Sequence, residues 1–332
     1  MRAALCRELG DPEVVRVENV ERPNLGPGQV RVRIGAASVN YPDVLIVAGK
    51  YQMSVPLPFV PGSELAGEVI EVAADVDRPR VGDRVFGSTI AGAFAEEAVL
   101  AAGSVTAVPD GIDDVEAACF GVAHRTAYHV LRSVARLQSG DELIVLGAGG
   151  GVGLAAVQLG AHLGARVTAV AAGDEKLRVA TAMGAANVVN REQGSIRDVL
   201  RALLPAGADV VIDPVGGGLS EPALRTLRWG GRFVTVGFAS GEIPCIPLNL
   251  VLLKGVHVLG FQMIDFVTRA PDEQQRDERE LLDLLRTGVA RPHIGAVYPL
   301  DDVAGALRHV ADGRAIGKVA ITTGPAPVPR TI

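Results

Sequence analysis

The sequence has few of the residues that build disulfide frameworks or metal clusters. Of its 332 residues, three are cysteine and six are histidine, and aromatic residues make up 4%. The cysteines, Cys6, Cys119 and Cys245, are scattered and form no CxxC pair. This pattern excludes a disulfide scaffold and a cysteine-rich zinc lobe, and it indicates a reducing compartment.

An excess of positive charge is also missing. The net charge is −6, which gives no basic footprint for nucleic acid. The first residues lack the apolar core of a signal peptide. The long apolar region 143–172 is interrupted by glycines and polar residues, so it is interpreted as a buried parallel-sheet unit and not as a membrane span. We therefore expect a cytoplasmic protein that binds neither nucleic acid nor membranes.

Glycine is abundant instead, with 40 residues, and its densest cluster has a defined setting. The apolar run Leu143–Leu146 leads into the cluster Gly147–Gly153. A helix-patterned run of small residues, Leu154–Leu163, and a β-branched run, Val167–Val170, follow. Strand, tight turn, helix and strand form one βαβ unit, which is the context of a dinucleotide-binding turn.

The turn departs from the strict G-x-G-x-x-G pattern because position 148 is alanine. Gly150, Gly151 and Val152 are expected to bring backbone N–H groups to the phosphates at the helix N-terminus. Gly153 is expected to let the helix pack closely on the strand. The alternative is a tight turn with no ligand.

Hydrophobic periodicity divides the rest of the chain. Up to about residue 110, short alternating segments such as Val30–Ile34, separated by turn residues, predict a small barrel or folded-over sheet. A helix start follows at Asp113–Ala118, and strands then alternate with helices. This rhythm predicts an α/β fold with a Rossmann doubly wound parallel sheet beside a mainly β domain. The predicted strands are 142–146, 166–170, 187–189, 209–213, 232–237 and 256–260, and the tail predicts helices over about 273–287 and 301–312 and a strand over 318–322.

Several motifs in one order carry a family resemblance. They are the turn 147–153 with Gln158, Asn40–Asp43, Gly49–Tyr51, Pro61–Gly67, Val81–Val85, Asp213–Gly217 and Gly317–Val319. Together they resemble the zinc-free quinone oxidoreductase branch of the medium-chain dehydrogenase/reductase superfamily. The resemblance implies a GroES-like catalytic domain of residues 1–118 and 262–332, and a Rossmann domain of residues 119–261.

The zinc-dependent relatives in that superfamily have ligands that this chain lacks. Their ligand positions fall near Asn40–Tyr41, at Ser63 and near Val122. Without imidazole or thiolate at these positions, no metal site is predicted. A zinc-free site suits hydride delivery to an acceptor that is already electrophilic, such as a quinone or an α,β-unsaturated carbonyl.

The end of the second Rossmann strand favours NADPH over NADH. Ala171 or Ala172 stands where NAD enzymes place a ribose-binding carboxylate. Asp174 follows, and we interpret it as the N-cap of the next helix. The resemblance implies that Lys176, and with it Arg191, meets the 2′-phosphate; solvated surface charge is the alternative.

The resemblance also implies a catalytic set. Asn40 is expected near the nicotinamide, Thr126 contacts its side of the cofactor, Tyr41 lines the site, and Tyr51 is the proton donor to the enolate. A half-buried strand tyrosine is the alternative for Tyr51, and Asp43 is assigned a structural, turn-capping role. His124 and Arg125 are expected to touch either substrate or solvent.

Two aromatic residues follow predicted strand ends, where open α/β sheets bind ligands. Gly237 and Phe238 lie at the carboxyl end of the fifth strand, and Phe261 follows the sixth. The two aromatic rings either cover the cofactor or belong to the core.

These features predict an NADPH-dependent reductase of quinones or α,β-unsaturated carbonyls. Enoyl-thioester reduction is the rival activity, with Arg125, Lys50 and Lys254 as possible contacts to coenzyme A, and a non-enzymatic NADPH-binding protein is the alternative of another class. An apolar strand at 256–260 should end the sheet and, by resemblance, pair across a homodimer.

Overall fold

The computed structural model describes residues 1–324, and the chain forms two compact units. One comprises Met1–Val122 together with residues 292–324, and the other comprises Ala123–Arg291. The strands are β1 (Arg2–Cys6), β2 (Val15–Asn19), β3 (Gln29–Val39), β4 (Glu64–Val72), β5 (Arg84–Ser88), β6 (Glu97–Ala101), β7 (Val105–Ala107), β8 (Glu142–Leu146), β9 (Arg166–Ala171), β10 (Asn187–Asn190), β11 (Ala208–Asp213), β12 (Leu227–Thr235), β13 (His257–Gly260), β14 (Ile294–Pro299) and β15 (Lys318–Thr322). The α-helices are α1 (Tyr41–Val47), α2 (Asp114–His129), α3 (Gly151–His162), α4 (Asp174–Ala182), α5 (Ile196–Leu203), α6 (Ser220–Leu224), α7 (Leu248–Lys254), α8 (Met263–Arg269), α9 (Pro271–Arg286) and α10 (Val303–Ala311).

The first unit is built around the long strand β3. Its sheet has the order β14-β15-β3-β4-β5-β7, and β6 also pairs with β3. One edge of β3 pairs with β6 along Gln29–Arg33 and with β15 along Ala36–Val39, while β4 pairs with the other edge. Two register shifts between β3 and β4 bend the strand. The result matches the folded-over sheet that the alternating pattern predicts, with Val32 and Ile34 buried in the core.

The second unit contains a six-stranded parallel sheet of order β10-β9-β8-β11-β12-β13. This is the predicted doubly wound Rossmann sheet, and all six predicted strands are present. The strand order reverses between β8 and β11, and the carboxyl ends on either side of that point form the ligand-binding crevice of such sheets. β12 begins at Leu227 instead of residue 232 and ends at Thr235, which leaves Gly237 and Phe238 in the loop that follows.

The boundary predicted after residue 261 differs from the observed one. The segment 262–291, which the sequence places with the GroES-like domain, lies in the second unit. Leu281 and Leu285 of α9 are buried, and the Asp277 carboxylate of α9 accepts a hydrogen bond at 3.0 Å from buried His129. These contacts are distant in sequence, so local periodicity locates α9 but not the unit to which it belongs.

Within residues 1–324, no helix combines the length and the apolarity that crossing a bilayer requires.

Candidate active site

The glycine turn closes tightly between β8 and α3. Gly147 has φ +61°, the Ala148 N–H donates to the carbonyl of Val170 at 3.0 Å, and Gly150 is the N-cap of α3. A Cβ on Gly153 would lie 2.1 Å from the Gly147 carbonyl oxygen, so Gly153 lets the helix pack closely on the turn that follows β8. A Cβ on Gly150 would find its nearest neighbour only at 3.6 Å. The turn therefore presents the helix-initial N–H groups of α3 at a position that tolerates an added Cβ without a clash, the arrangement that accepts a phosphate.

A second loop stands beside this turn, at the carboxyl end of β11. Asp213 is fully buried, and its carboxylate accepts hydrogen bonds from the Val215 and Gly216 N–H groups at 2.9 and 2.8 Å and from the Ser220 hydroxyl at 2.5 Å. A Cβ on Gly147 would lie 2.5 Å from the Val215 side chain. Asp213 thus holds the β11 loop against the glycine turn, at the strand-order reversal.

Two cationic residues lie near the end of β9: Lys176 of α4, and Arg191, which follows β10. The aliphatic stem of Lys176 lies over Gly149, where an added Cβ would meet it at 2.6–2.7 Å, and the Arg191 N–H donates to the Ala171 carbonyl at 2.9 Å. Burial lowers the pKa of Lys176, and the nearby Arg191 charge lowers it further. Ala172 lies between β9 and α4. Two positive charges that repel each other at this position are suited to binding a dianion.

The interpretation of Asp174 as an N-cap is wrong by one position. The N-cap of α4 is Gly173, with φ 76°, and Asp174 is the first helical residue. Its carboxylate accepts a hydrogen bond at 3.1 Å from the Asn190 side-chain amide. An acid in the first turn still stabilises the helix N-terminus.

The two aromatic residues after the fifth and sixth strands differ in environment. Phe238 is 38% exposed, and its ring lies against Gly216, where a Cβ would meet it at 2.9 Å. The Phe261 ring packs at a tilt against Phe266 with centroids 5.5 Å apart and lies 6.4 Å from the ring of His129. Phe238 is thus a partly exposed ring beside the β11 loop, whereas Phe261 belongs to an aromatic cluster.

On helix α2, the environment of His124 and Arg125 differs from the expected contact with substrate or solvent. His124 is buried, and its Nε2 lies 3.3 Å from the Gln158 side-chain oxygen, while Arg125 pairs with Glu278 at 2.9 Å. Both side chains therefore contact other protein groups, and only Arg125 keeps part of its side chain, 15%, exposed to solvent. Thr126, the next residue, is 9% exposed.

At the end of α2, the buried residue His129 joins a polar cluster that the sequence does not predict. His129 Nδ1 lies 3.0 Å from Asp277, and its Nε2 lies 3.4 Å from Glu278. Burial opposes protonation of His129, but the hydrogen bonds to the two carboxylates outweigh it and raise its pKa. The Ser133 hydroxyl and Arg276 also bond to Asp277, so the cluster ties α9 to the α2 region. Only a three-dimensional contact brings these residues together, and no sequence motif marks them.

In the first unit, the segment that begins at Asn40 starts helix α1. Asn40 is the N-cap, and its N–H donates to the Asp43 carboxylate at 2.7 Å. Asp43 is 1% exposed, and burial raises its pKa to about 7 although the Asn40 N–H and the Ser63 hydroxyl oppose the shift. The structural capping role assigned to Asp43 agrees with this geometry.

The Asn40 side chain is held by two residues that the sequence analysis named only within motifs. Lys318 Nζ donates to Asn40 Oδ1 at 2.6 Å and to the Glu64 carboxylate at 3.1 Å. Asn40 Nδ2 donates to the same Glu64 oxygen at 3.1 Å, and the Val122 N–H donates to the other Glu64 oxygen at 2.6 Å. The sequence signal for this cluster was an acidic residue, Glu64, in the motif Pro61–Gly67 and a basic residue, Lys318, in the motif Gly317–Val319.

The two tyrosines of this segment lie at different places. Tyr41 is the first residue of α1, and Tyr51 lies in a bend after α1, half-buried against the core of the first unit. Because Tyr51 is not on a strand, that part of its structural alternative is wrong. Burial raises the pKa of the Tyr51 phenol, and the Asp43 charge raises it further. The phenol is therefore held in its protonated form.

The raised pKa of Asp43 has a measurable consequence for stability. Because the folded state binds this proton more tightly than an unfolded chain, in which the usual pKa is 3.8, stability should fall as the pH rises from about 4 to 7 and level off above it. We expect wild type to lose on the order of 2 kcal/mol relative to Asp43→Asn between pH 5 and 7. Urea unfolding of both proteins at each pH measures this difference. A pH-independent difference would contradict the expectation.

Comparison with known proteins places the chain in a family. Residues 26–110 match the alcohol dehydrogenase GroES-like domain, and residues 151–287 match a family described as zinc-binding dehydrogenase. Quinone oxidoreductase-like protein 2 of Rattus norvegicus is 36% identical over 328 residues, which cover 97% of this chain and 92% of the relative. The chain belongs to the medium-chain dehydrogenase/reductase superfamily, in its quinone oxidoreductase branch. The predicted family resemblance is thereby confirmed.

Two solved structures of this superfamily were determined with NADPH. The Escherichia coli quinone oxidoreductase complexed with NADPH is 25% identical, with a TM-score of 0.90 over 97% of this chain and 100% of that chain. A mycobacterial protein complexed with NADPH is 29% identical, with a TM-score of 0.90 over 97% of this chain and 99% of that chain. The chain is an oxidoreductase with the GroES-like and Rossmann architecture of these medium-chain reductases.

The residues at the zinc-ligand positions of the superfamily do not fit zinc in this chain. Asn40 and Ser63 offer neither imidazole nor thiolate, and the nearby Glu64 carboxylate is paired with the Lys318 ammonium. In the described part of the chain, no three His, Cys, Asp or Glu side chains are grouped to hold a metal ion. The donor set at these positions is therefore unsuited to a catalytic zinc ion.

Proposed function

We propose that this medium-chain reductase uses NADPH to reduce a quinone or an α,β-unsaturated carbonyl without zinc. The observation that carries the proposal is the pair of cations, Lys176 and Arg191, at the end of β9 beside the glycine turn. Cations near the end of the second Rossmann strand suit a 2′-phosphate, the group that distinguishes NADPH from NADH. The solved relatives complexed with NADPH support the same cofactor.

The remaining cofactor contacts are proposed from their positions on the Rossmann sheet. The N–H groups of Gly150, Gly151 and Val152 bind the pyrophosphate at the start of α3. Ala172 leaves room for the adenosine ribose where a carboxylate would repel a phosphate. Further contacts along the cofactor are assigned to Thr126, Gly237, Phe238 and Phe261.

The chemistry needs a hydride and, for some acceptors, a proton. NADPH, when bound, supplies the hydride. Tyr51 holds a proton on its phenol and donates it to the carbanionic carbon of the enolate formed from an unsaturated carbonyl. Asn40 orients the acceptor oxygen with its carboxamide, and Tyr41 lines the site. Hydrogen-bond donors then stabilise the negative charge that develops on that oxygen.

Enoyl-thioester reduction is a weaker proposal on this structure. A coenzyme A thioester needs exposed basic residues for its phosphates. Arg125, one of three basic residues considered for this role, is 15% exposed in its side chain and is paired with Glu278. Lys50 and Lys254 are the remaining two.

The cofactor assignment is tested by Lys176→Met, which keeps the aliphatic stem on Gly149 and removes the charge. We expect the NADPH dissociation constant to rise about 10- to 100-fold, because a charge-assisted contact to phosphate is lost, while the NADH constant stays within about twofold. Titration of the fluorescence of each reduced nucleotide measures both. Arg178→Met is the matched control, because Arg178 is exposed on the same helix. Wild type that binds NADH more tightly than NADPH would overturn the assignment.

We propose a homodimer formed through β13. This strand lies at the edge of the parallel sheet, and Val258 is 47% exposed there. The neighbouring helix α7 exposes Leu248, Leu252 and Leu253 by 72–79%, which adds an apolar surface beside the open edge.

Sedimentation equilibrium tests the dimer. Wild type should sediment at twice the 34.5 kDa of one chain, and Val258→Lys should sediment as a monomer because a charge blocks edge pairing. Val188→Lys is the control, since Val188 is 41% exposed on β10, the opposite edge of the same sheet. Monomeric wild type at micromolar concentration would refute the proposal.

We also propose a cytoplasmic location, which suits three free cysteines, two of them buried. Retention of activity in a cytosolic fraction after cell fractionation would test it.

A further inference from the structure

Strand register gathers three polar side chains at one end of the first unit's sheet. Val319 of β15 pairs with Val39 of β3, so Lys318 falls opposite Asn40, the residue that follows β3. Leu65 of β4 pairs with Ala37, which brings Glu64 to the same end of β3 from the other side. Three strands that are distant in sequence thus deliver an ammonium, a carboxamide and a carboxylate to one point.

The cluster is buried and closely bonded. The side chains of Lys318 and Glu64 are 5% and 1% exposed, and Asn40 is 8% exposed. Lys318 Nζ lies 2.6 Å from Asn40 Oδ1, and Glu64 Oε2 lies 3.1 Å from both Lys318 Nζ and Asn40 Nδ2. Because an ammonium can only donate and a carboxylate can only accept, these contacts permit one orientation of the carboxamide.

That orientation leaves one Asn40 amide hydrogen weakly used. An NH₂ group carries two hydrogens, and one is directed to Glu64 at 3.1 Å. The other contacts of Nδ2, to the Ser38 carbonyl and the Ser63 hydroxyl, are both 3.5 Å long, at the limit of a hydrogen bond. Asn40 therefore keeps donor capacity for a stronger acceptor, such as an oxygen that gains negative charge.

The opposite charges of Lys318 and Glu64 allow both side chains to be buried beside Asn40. A buried ammonium is stable only when it is paired and hydrogen-bonded. Glu64 supplies one negative charge, and the raised pKa of the neighbouring Asp43 carboxyl, about 7, limits a second charge near Lys318. Lys318 and Glu64 thus form a nearly neutral pair around Asn40.

We propose that Lys318 is a positioning residue of the reductase reaction, whose buried ammonium fixes the Asn40 carboxamide with its NH₂ group available to donate to the acceptor oxygen. The inference rests on the proposed function, since it assigns Asn40 its role toward the acceptor. Without Lys318, only the 3.1 Å contact to Glu64 orients the carboxamide, so its NH₂ group is held less firmly toward the acceptor oxygen.

The kinetics of Lys318 variants distinguish a positioning role of Lys318 from a contribution to stability alone. Lys318→Met should lower kcat for an enone about 10- to 100-fold, somewhat less than the loss of a complete oxyanion donor. The NADPH dissociation constant should stay within about twofold, because the proposed cofactor contacts involve other residues. Lys318→Arg should recover most of kcat, since it restores a cation that donates to both partners.

The double variant Glu64→Gln/Lys318→Met removes both charges and so leaves no unpaired buried carboxylate. It should regain a melting temperature close to wild type while kcat stays low. Recovery of wild-type kcat in the double variant, or a Lys318→Met protein that loses stability with kcat unchanged, would overturn the inference and leave Lys318 a purely structural residue.

The NMR signals of the asparagine side-chain amides require no turnover, so they test the positioning role independently of the proposed function. The chain has six asparagines, so selective ¹⁵N-asparagine labelling gives six side-chain amide pairs. Asn40→Asp assigns one pair by its loss. We expect that pair to shift or broaden in Lys318→Met, and an unchanged pair would refute the positioning role. Wild type that oxidises no NADPH with any acceptor would instead refute the proposed function.

Discussion

Tyr51→Phe is expected to lower kcat for reduction of a 2-alkenal by about 100-fold or more, because general-acid catalysis contributes on this scale. Reduction of 1,4-benzoquinone or 9,10-phenanthrenequinone should change less than about threefold, since a hydroquinone oxygen takes its proton from water. The acceptor panel also includes crotonyl-CoA, and the rate of NADPH oxidation at saturating cofactor measures each case.

A control variant and the pH dependence of the alkenal rate make the Tyr51→Phe experiment more specific. Tyr298→Phe removes a phenol that bonds to His309 at 2.8 Å in the same unit, and it should leave the alkenal rate near wild type. Burial and the Asp43 charge raise the pKa of Tyr51, so its proton should remain available across neutral and mildly alkaline pH. Equal loss with quinone and alkenal would contradict a proton-donor role, whereas turnover confined to crotonyl-CoA would favour an enoyl-thioester reductase.

Gly153→Ala is expected to destabilise the Rossmann unit by about 3 kcal/mol, the upper range for an overpacked site. The added methyl would lie 2.1 Å from the Gly147 carbonyl oxygen, 2.7 Å from the Gly147 carbonyl carbon and 2.8 Å from Ala148 Cα. Backbone atoms cannot move aside as a flexible side chain can, so the start of α3 must shift. Thermal unfolding and NADPH titration measure both consequences, and we expect NADPH binding to be lost.

Two other glycines in the same unit provide matched comparisons. Gly218→Ala should be neutral, because its Cβ meets nothing within 4 Å. Gly150→Ala should fold, because its nearest neighbour is 3.6 Å away, but it should bind NADPH less tightly if the pyrophosphate approaches here. A stable Gly153→Ala protein with normal NADPH affinity would show that α3 does not depend on this close contact.

Local sequence patterns were sufficient for the Rossmann sheet. Fully buried apolar runs such as Leu143–Leu146, each followed by a turn, mark parallel strands because both faces of such strands are covered. The right-handed βαβ rule then limits the strand orders that remain. The glycine turn was predictable for the same reason, since strand, turn and helix are contiguous in sequence.

Contacts between distant residues were not predictable in this way. The assignment of α9 to the second unit depends on Asp277 meeting His129, which no periodicity encodes. The pairing of Arg125 with Glu278 removed Arg125 from the residues considered for substrate binding. The Lys318–Glu64–Asn40 cluster depends on the registers of β15 and β4 against β3.

The central claim is hydride transfer from NADPH to an electrophilic acceptor. Its most direct test is acceptor-dependent loss of reduced-nicotinamide absorbance in the wild-type protein, with ordinary NADPH compared with NADPH deuterated at both C4 positions. We expect oxidation with at least one quinone or 2-alkenal, slowed by a primary isotope effect in a single turnover. Tight NADPH binding with no oxidation across the acceptor panel would contradict the claim and favour a non-enzymatic NADPH-binding protein.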